Sequence, residues 1–303
     1  MKKSDMHFRL VRRYALLFIF LCGCINGLIA QDSTVAAPPA VKNKPVKNTF
    51  ESNWILDNQT VMVPVKGTFE MDMQHRFGTV NNGYKDLYGI YAPANIRIGF
   101  SYVFIDKLQG GFGFCKDRLQ WDANVKYAIL KQAKAGGSPI SLTYFGNIVF
   151  DTRNKENFVT GTDRISYFNQ LIIARKVTDK ISLQVAPSLS HYNNVAGYLD
   201  SKGEIQKTMQ NEHFAVAFMG RYKLTEKMAL LVNYDQPLTQ HPTNNPHPNI
   251  SFGLEMVSSS HAFQVFAGNY QGIIPQSNNF FNQNDFTKGQ FLIGFNITKL
   301  WNF

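Results

Sequence analysis

Apolar and polar residues alternate with a period of two over the last fourteen residues of the chain, 290–303. One face carries Phe291, Ile293, Phe295, Ile297, Trp301 and Phe303, and the other carries Gln290, Gly294, Asn296, Thr298 and Asn302. A period of two predicts a β-strand with one apolar and one polar face. The printed sequence is therefore expected to finish on a strand.

The same alternation recurs upstream and predicts eleven further strands. They are Thr68–Arg76, Asn95–Phe104, Leu108–Cys115, Gln120–Leu130, Ile140–Phe150, Ile165–Val177, Ile181–Tyr192, Phe214–Leu224, Met228–Gln236, Asn249–Val257 and His261–Asn269. Ile140–Phe150 fits the alternation less cleanly than the others. Most are long enough to cross a bilayer at a tilt, which takes about 9 to 11 residues. The pattern predicts an all-β fold, a single antiparallel transmembrane β-barrel of about 12 strands, with 10 or 14 strands as alternatives.

The lengths of the connections follow the parity of the strands. Short turns at 106–107, 178–180, 225–227 and 258–260 each join an even strand to the next odd one, whereas the long connections 77–94, 151–164, 193–213, 237–248 and 270–289 have the opposite parity. The connection at 116–119 is an exception because it is short. Outer-membrane barrels have short periplasmic turns and longer external loops, so both ends of the barrel sequence are expected in the periplasm. A soluble β-sandwich, the alternative fold, is not expected to sort its loops in this way.

The N-terminal residues predict export. Basic residues precede an apolar run from Tyr14 to Ile25, and small residues follow up to Ala30. This arrangement predicts a signal peptide over residues 1–30, with an apolar core too short to span a bilayer. A lipoprotein signal with Cys24 as the acylated residue is the alternative. Residues 31–48 are expected to form a flexible Pro-rich leader, and residues 49–303 the barrel.

Composition agrees with export to a membrane without helices. Aromatic residues make up 14% of the chain, with 25 Phe and 13 Tyr, and the net charge of +10 includes no run of Lys or Arg suited to nucleic acid. Only a closed barrel spans a bilayer without apolar helices, because its backbone groups pair between strands. The expected location is the outer membrane of a Gram-negative cell, and the expected partners are outer-membrane lipid and the barrel assembly machinery.

The terminal strand also resembles the carboxyl ends of outer-membrane β-barrels, which the assembly machinery recognises. The likeness consists of an apolar outer face, aromatic residues near the end and a final phenylalanine. It implies that Trp301 and Phe303 belong to an assembly signal.

Charged residues recur at inward positions of the predicted strands. They are Glu70, Asp72, Arg76, Arg97, Asp122, Lys126, Arg221, Asp235 and Glu255. One interpretation is a polar path that selects solutes by charge. The other is that these residues pair with one another and fill the lumen, since about eight strands hold a filled interior and 16 to 18 leave a channel.

Other candidate chemistry is weak. His241 and His247 share a Pro-stiffened external loop without a carboxylate or cysteine nearby, and Ser190 and His191 point to opposite faces of one strand. No enzyme activity, metal or cofactor is expected. The connection 269–289 is unusually apolar, which indicates that it folds into the barrel mouth or meets a partner, or else packs on neighbouring loops.

Three segments resemble the family named domain of unknown function 5777. They are DNQTVMVPVKGTFEMDMQHRFGTVNNGYKDLYGIYAPANIRIGFSY, SYFNQLIIARKVTDKISLQVAPSLSHYNN and FNQNDFTKGQFLIGFNITKLWNF. The likeness extends over about residues 50–303. It implies an outer-membrane barrel of undetermined role and transfers no catalytic or binding residues.

These observations favour a porin-like or transport barrel for small polar solutes. The alternative is a non-conducting outer-membrane scaffold that docks a periplasmic or surface partner through its loops or through residues 31–66. A conducting lumen would separate the two.

Overall fold

The computed structural model describes residues 44–303. The predicted signal peptide and most of the predicted leader, residues 1–43, lie outside the described residues. Among residues 44–303, twelve antiparallel strands form a closed barrel. The predicted fold class and strand number are confirmed.

The barrel strands are numbered β1 to β12 in chain order. They are β1 Thr68–Thr79, β2 Asn95–Ile105, β3 Leu108–Cys115, β4 Gln120–Leu130, β5 Ser141–Asp151, β6 Ile165–Lys176, β7 Ile181–Tyr192, β8 Glu212–Lys223, β9 Met228–Pro237, β10 Asn249–Val257, β11 His261–Gly268 and β12 Leu292–Asn302. Each strand pairs with the next, and β12 closes the barrel on β1, where Phe295 lies opposite His75. Closure leaves no strand edge unpaired, as a bilayer requires.

The alternation in sequence follows the two faces of the wall. On β1, Glu70, Asp72, Gln74 and Arg76 are buried, whereas the intervening side chains are only partly covered. The outer surface is an apolar band. It includes Phe104, Phe112, Ile148, Leu171, Phe218, Val232, Phe252 and Leu254. Successive side chains of a strand point to opposite faces. The alternation of period two therefore determines both the polar lining of the lumen and the apolar outer surface.

The inner face differs around the barrel. Strands β1 to β4 carry most of the buried charges. Strands β5 to β9 present apolar side chains inward, and these include Phe145, Phe168, Ile172, Ala174, Ala186, Ala217, Met219 and Leu231. Phe145 explains why β5 fits the alternation poorly, because it is an apolar residue on the inward face.

The connections separate into two ends as predicted. The short turns and the connection 131–140 lie at one end, where Val46 N donates to Gln132 O at 2.7 Å. The opposite end carries the 3₁₀ helices Val80–Asp86, Asp117–Leu119, Lys155–Asn157, Gly161–Arg164 and Phe286–Lys288, the small hairpin Gly197–Leu199 with Ile205–Lys207, and helix α1, Pro275–Phe281. Within the described part of the chain, no helix is both long and apolar enough to cross a membrane.

Replacing Leu254 with arginine tests the lipid-facing band. Leu254 lies on the outer face near the middle of β10, and a charge there should destabilise the barrel by about 2–4 kcal/mol. The matched control is Ser259→Arg in the exposed turn after β10, which should cost about 1 kcal/mol or less. Unfolding by urea in lipid vesicles measures both. Equal costs would contradict a lipid-facing surface at β10.

Candidate functional site in the barrel lumen

A segment N-terminal to β1 lies inside the barrel and is called the lumen hairpin, residues 50–66. Its short strands Trp54–Ile55 and Asn58–Gln59 pair antiparallel, with Leu56 and Asp57 at the turn. The buried apolar side chains of the segment are Phe50, Trp54, Ile55, Leu56, Val61 and Val63. The residues on either side of it, Val46 and Thr68, lie at the end of the barrel with the short turns. The lumen hairpin therefore enters from the predicted periplasmic end.

The wall holds the tip of the lumen hairpin. Leu56 has φ of +60°, a conformation that L-residues other than Asn and Asp rarely adopt. Its N–H donates to Gln264 Oε1 at 3.1 Å, and its carbonyl accepts from Asn296 Nδ2 at 2.6 Å. These contacts with β11 and β12 compensate for the unfavourable turn.

A second segment fills the opposite mouth and is called the mouth loop, residues 269–289. Tyr270, Ile273, Ile274 and Phe280 in it are at most 1% exposed, and helix α1 contacts β6, β7 and β8. Of the interpretations that the sequence left open, the structure shows that this loop folds into the barrel mouth. The burial of its apolar residues explains their presence in an external connection.

The two inserted segments meet at Asp57. Its carboxylate accepts from Tyr270 OH at 3.0 Å and from Asn278 Nδ2 at 2.6 Å, both in the mouth loop. It also accepts from Asn233 Nδ2 of the wall at 2.9 Å. One side chain therefore joins the lumen hairpin, the mouth loop and β9.

All nine charged residues predicted at inward positions are buried. Their exposed fractions are between 0% and 6% for Glu70, Asp72, Arg76, Arg97, Asp122, Lys126, Arg221, Asp235 and Glu255. Three of them form one group. Arg97 Nη1 lies 2.8 Å from Asp72 Oδ1, and Arg97 Nε lies 2.8 Å from Asp122 Oδ1.

Two glycines make room for Arg97. Asp72, Gly99, Gly113 and Asp122 lie opposite one another on β1 to β4 and form a row across the wall. The Arg97 guanidinium covers both glycines, because a Cβ on either one would overlap it. The Arg97 guanidinium thus lies between the two carboxylates, with two parallel bonds to Asp122 and one bond to Asp72.

Other charges bind each other or the lumen hairpin. Arg221 Nε pairs with Glu255 Oε2 at 2.7 Å. Lys126 Nζ donates to Gln59 Oε1 at 2.9 Å, and Asp235 Oδ1 accepts from Asn58 Nδ2 at 3.0 Å.

Two further inward charges contact the same segment. Glu70 accepts a hydrogen bond from Asn53, and Arg76 lies over the Phe266 ring at 4.5 Å while Arg76 Nη2 contacts the carbonyl of Leu56 at 3.4 Å. In this structure the charges therefore hold the inserted segment as well as one another. Their role in solute permeation stays a prediction.

Neutral wall residues that bind the lumen hairpin were not singled out from the sequence. They are Gln109, Thr143, Gln170, Gln184, Asn233, Gln264 and Asn296. Each is buried on a barrel strand at an inward position, so the alternation does identify them once uncharged polar residues are included.

His213, at the start of β8, meets His241, in the connection after β9, at the mouth. The rings of His213 and His241 are 5.1 Å apart and nearly parallel, and Phe280 packs against both. Gln210 N donates to His241 Nδ1 at 2.9 Å, so the proton of neutral His241 is on Nε2 and points at His213 Nδ1, 2.9 Å away. A second proton on His241 would set its Nδ1–H against the N–H of Gln210. A proton on His213 Nδ1 would set that N–H against the Nε2–H of His241. His241 thus pairs with His213 and not with His247, with which the sequence analysis grouped it.

The remaining candidate residues lie on β7, on β12 and at position 303. Ser190 is buried and His191 is partly exposed on the other face of β7. Trp301 packs against Phe69 on the outer surface and Phe303 is exposed, and their role in assembly stays a prediction. Among the residues with described positions, no three His, Cys, Asp or Glu side chains are grouped as a metal site would need.

A comparison with protein families decides what kind of barrel this is. Residues 50–301 match the model of a family described as membrane bound beta barrel domain, domain of unknown function 5777. The chain belongs to this family. With the closed barrel described above, membership places the protein in the cell outer membrane.

The chain is also similar, at low sequence identity, to solved porin and channel structures. The NanC porin is 9% identical with a TM-score of 0.46, over 78% of this chain and 99% of that one. An outer membrane channel from Pseudomonas putida F1 is 13% identical with a TM-score of 0.48, over 79% of this chain and 97% of that one. No curated protein sequence matches the chain. Similarities at this level carry no argument about what passes through the barrel.

Replacing Arg97 with alanine should destabilise the barrel by about 3–5 kcal/mol, because two buried carboxylates lose their counter-ion. Adding Asp72→Asn and Asp122→Asn should recover part of the loss. The control is Arg175→Ala, an exposed arginine on β6. Urea unfolding in vesicles measures the series, and Arg97→Ala within about 1 kcal/mol of the control would contradict the structural role of the row.

Acid should loosen the mouth loop. Burial lowers the pKa of His241, against which Phe280 of the mouth loop packs. The protein with the loop docked therefore binds fewer protons than the protein with the loop released, and docking weakens as the pH falls below the ordinary histidine value of about 6.5. Hydrogen exchange of residues 270–289, corrected for intrinsic rates, should show protection falling by up to about tenfold per pH unit.

His241→Gln is the test variant, because its amide keeps one acceptor and one donor without titrating in this range. It should lose most of the pH dependence, whereas His191→Gln should keep it. Equal pH dependence in the wild type and His241→Gln would rule out the stacked pair as the cause.

Proposed function

We propose that the protein is a gated transport barrel for small polar solutes, closed in this structure by the lumen hairpin and the mouth loop. The observation that carries the proposal is the chemistry between the lumen hairpin and the wall. Around the turn, wall side chains satisfy main-chain groups of Trp54, Leu56, Gln59 and Val61 by hydrogen bonds. Water or a polar solute can replace such bonds when the segment leaves.

The hydrogen bonds between the lumen hairpin and the wall are exchangeable. A hydrogen bond inside a protein contributes only about 0.5–1.5 kcal/mol net, because the separated groups bond to water instead. An open lumen would present the buried amides and charges of the wall to water, which suits a polar permeation path. The lumen hairpin precedes β1, so its departure requires no barrel strand to unpair.

The alternative is a non-conducting scaffold that docks a periplasmic or surface partner. The burial of both inserted segments favours it, because a lumen that never opens would have the same contacts. In this conformation residues 50–63 are largely covered by the wall, which leaves the external loops and the residues before Phe50 as docking surfaces.

Single-channel conductance in planar bilayers separates the two functions. Ile55→Asp with Val61→Asp should undock the lumen hairpin, because both side chains are buried in an apolar cluster. Deletion of residues 271–285 should remove most of the mouth loop. We expect little steady conductance from the intact protein, and the largest conductance when both changes are combined.

The matched control places the same acidic substitutions at exposed sites. Leu199→Asp with Ile205→Asp alters the external hairpin, where both side chains are exposed, and should conduct like the intact protein. Heat-dependent gel mobility shows whether the combined variant is folded. A folded combined variant that does not conduct would contradict the transport function and support the scaffold function.

A further inference from the structure

Two wall glutamines contact the lumen hairpin in the same way. Gln264 Nε2 donates to the carbonyl of Trp54 at 2.8 Å, and its Oε1 accepts from the N–H of Leu56 at 3.1 Å. Gln184 Nε2 donates to the carbonyl of Gln59 at 2.8 Å, and its Oε1 accepts from the N–H of Val61 at 3.1 Å. In both cases one amide joins the carbonyl of a residue to the N–H of the second residue after it.

This geometry recognises an extended main chain. A primary amide offers one acceptor and a donor group, as a peptide bond of a neighbouring strand does. Such a contact does not depend on which side chains the bound segment carries. Two copies of it, on β7 and β11, therefore form a receptor for peptide backbone at two places four strands apart on the wall.

Further wall groups bind main-chain carbonyls of the same segment. Thr143 Oγ1 donates to the carbonyl of Val61 at 2.9 Å, and Asn296 Nδ2 donates to that of Leu56 at 2.6 Å. Lys126 Nζ contacts the carbonyl of Asn53 at 3.5 Å. Main-chain contacts thus come from β4, β5, β7, β11 and β12, and not from a single strand.

The wall also provides an apolar surface for side chains. Ile55, Leu56 and Val61 pack with the apolar cluster on the inner face of β5 to β9. The Trp54 ring lies 5.7 Å from the Arg97 guanidinium on the charged side of the lumen. The lumen therefore fits aliphatic side chains on one side and an aromatic ring beside a cation on the other.

We propose that the lumen is a binding site for extended peptides with aliphatic side chains, and that the lumen hairpin occupies this site as an internal substitute. The inference rests on the proposed transport function and narrows its solutes to oligopeptides. A sugar also offers hydroxyl donors and acceptors to Gln184 and Gln264, but it lacks a regular series of carbonyl and N–H groups at main-chain spacing. Competition by a sugar therefore separates the two classes of solute.

Peptide binding to the full-length chain tests the inference. The Ile55→Asp, Val61→Asp protein, in detergent and folded by gel mobility, is titrated with a fluorescent peptide of unrelated sequence that alternates Val or Ile with Ser or Asn. Anisotropy should report binding to this variant and at least about tenfold weaker binding to the intact protein. Maltohexaose, the non-peptide probe, should not compete.

Backbone recognition has two specific signatures. The same peptide N-methylated at alternate residues should bind about 10- to 30-fold more weakly, because it loses main-chain donors. Gln184→Leu or Gln264→Leu, each removing two hydrogen bonds to the bound main chain, should have an effect of similar size. Gln109→Leu is the control, because Gln109 contacts the side chain of Asn53 and not the main chain.

The possible results test the peptide inference separately from the transport function. Binding of only a peptide with the sequence of residues 50–63 would overturn the peptide inference, because the wall would then fit its own hairpin alone. Conductance of the undocked variant without peptide binding would overturn it and leave transport standing. If the undocked variant does not fold, excess unrelated peptide should speed hydrogen exchange of residues 53–61 in the intact protein, and no change would overturn the inference.

Discussion

Closing twelve strands into a barrel forces polar groups of the inner wall to find partners away from bulk water, and the rest of the structure depends on how they do so. Buried polar groups in proteins are nearly always hydrogen-bonded. Here Arg97 forms ion pairs with both Asp72 and Asp122, and Arg221 forms one with Glu255. The wall amides Gln264 and Asn296 bond to each other across β11 and β12, and both also bind the lumen hairpin. The inserted segment is thus part of the polar network of the barrel.

The position of the lumen hairpin follows from the uneven inner wall. Its aliphatic side chains contact the apolar strip on β5 to β9, and its polar side chains reach Glu70 and Lys126 on the charged side. A wholly charged wall would leave Ile55 and Leu56 against unpaired ions, and a wholly apolar wall would leave the main chain without partners. The two surfaces together fix one orientation of the segment.

The sequence predicts the barrel well, because a period of two reports both faces of each strand directly. The nine inward charges stand out for the same reason. The lumen hairpin could not be predicted, since its paired strands have two residues each and too few alternations for a period. The pairing of His213 with His241 depends on how the connection after β9 folds against the start of β8, which no spacing in the sequence reveals. The poor alternation of Ile140–Phe150 was a local sign that β5 contacts an apolar insert.

Asp57 makes the two closures dependent on each other. Its carboxylate has donors from the mouth loop, Tyr270 and Asn278, and one from the wall, Asn233. Withdrawal of the mouth loop would remove two donors from a buried carboxylate, which weakens the docking of the lumen hairpin. Withdrawal of the lumen hairpin would likewise leave the Asn278 amide without this acceptor. Because both segments share these bonds, we expect release of either segment to weaken the docking of the other.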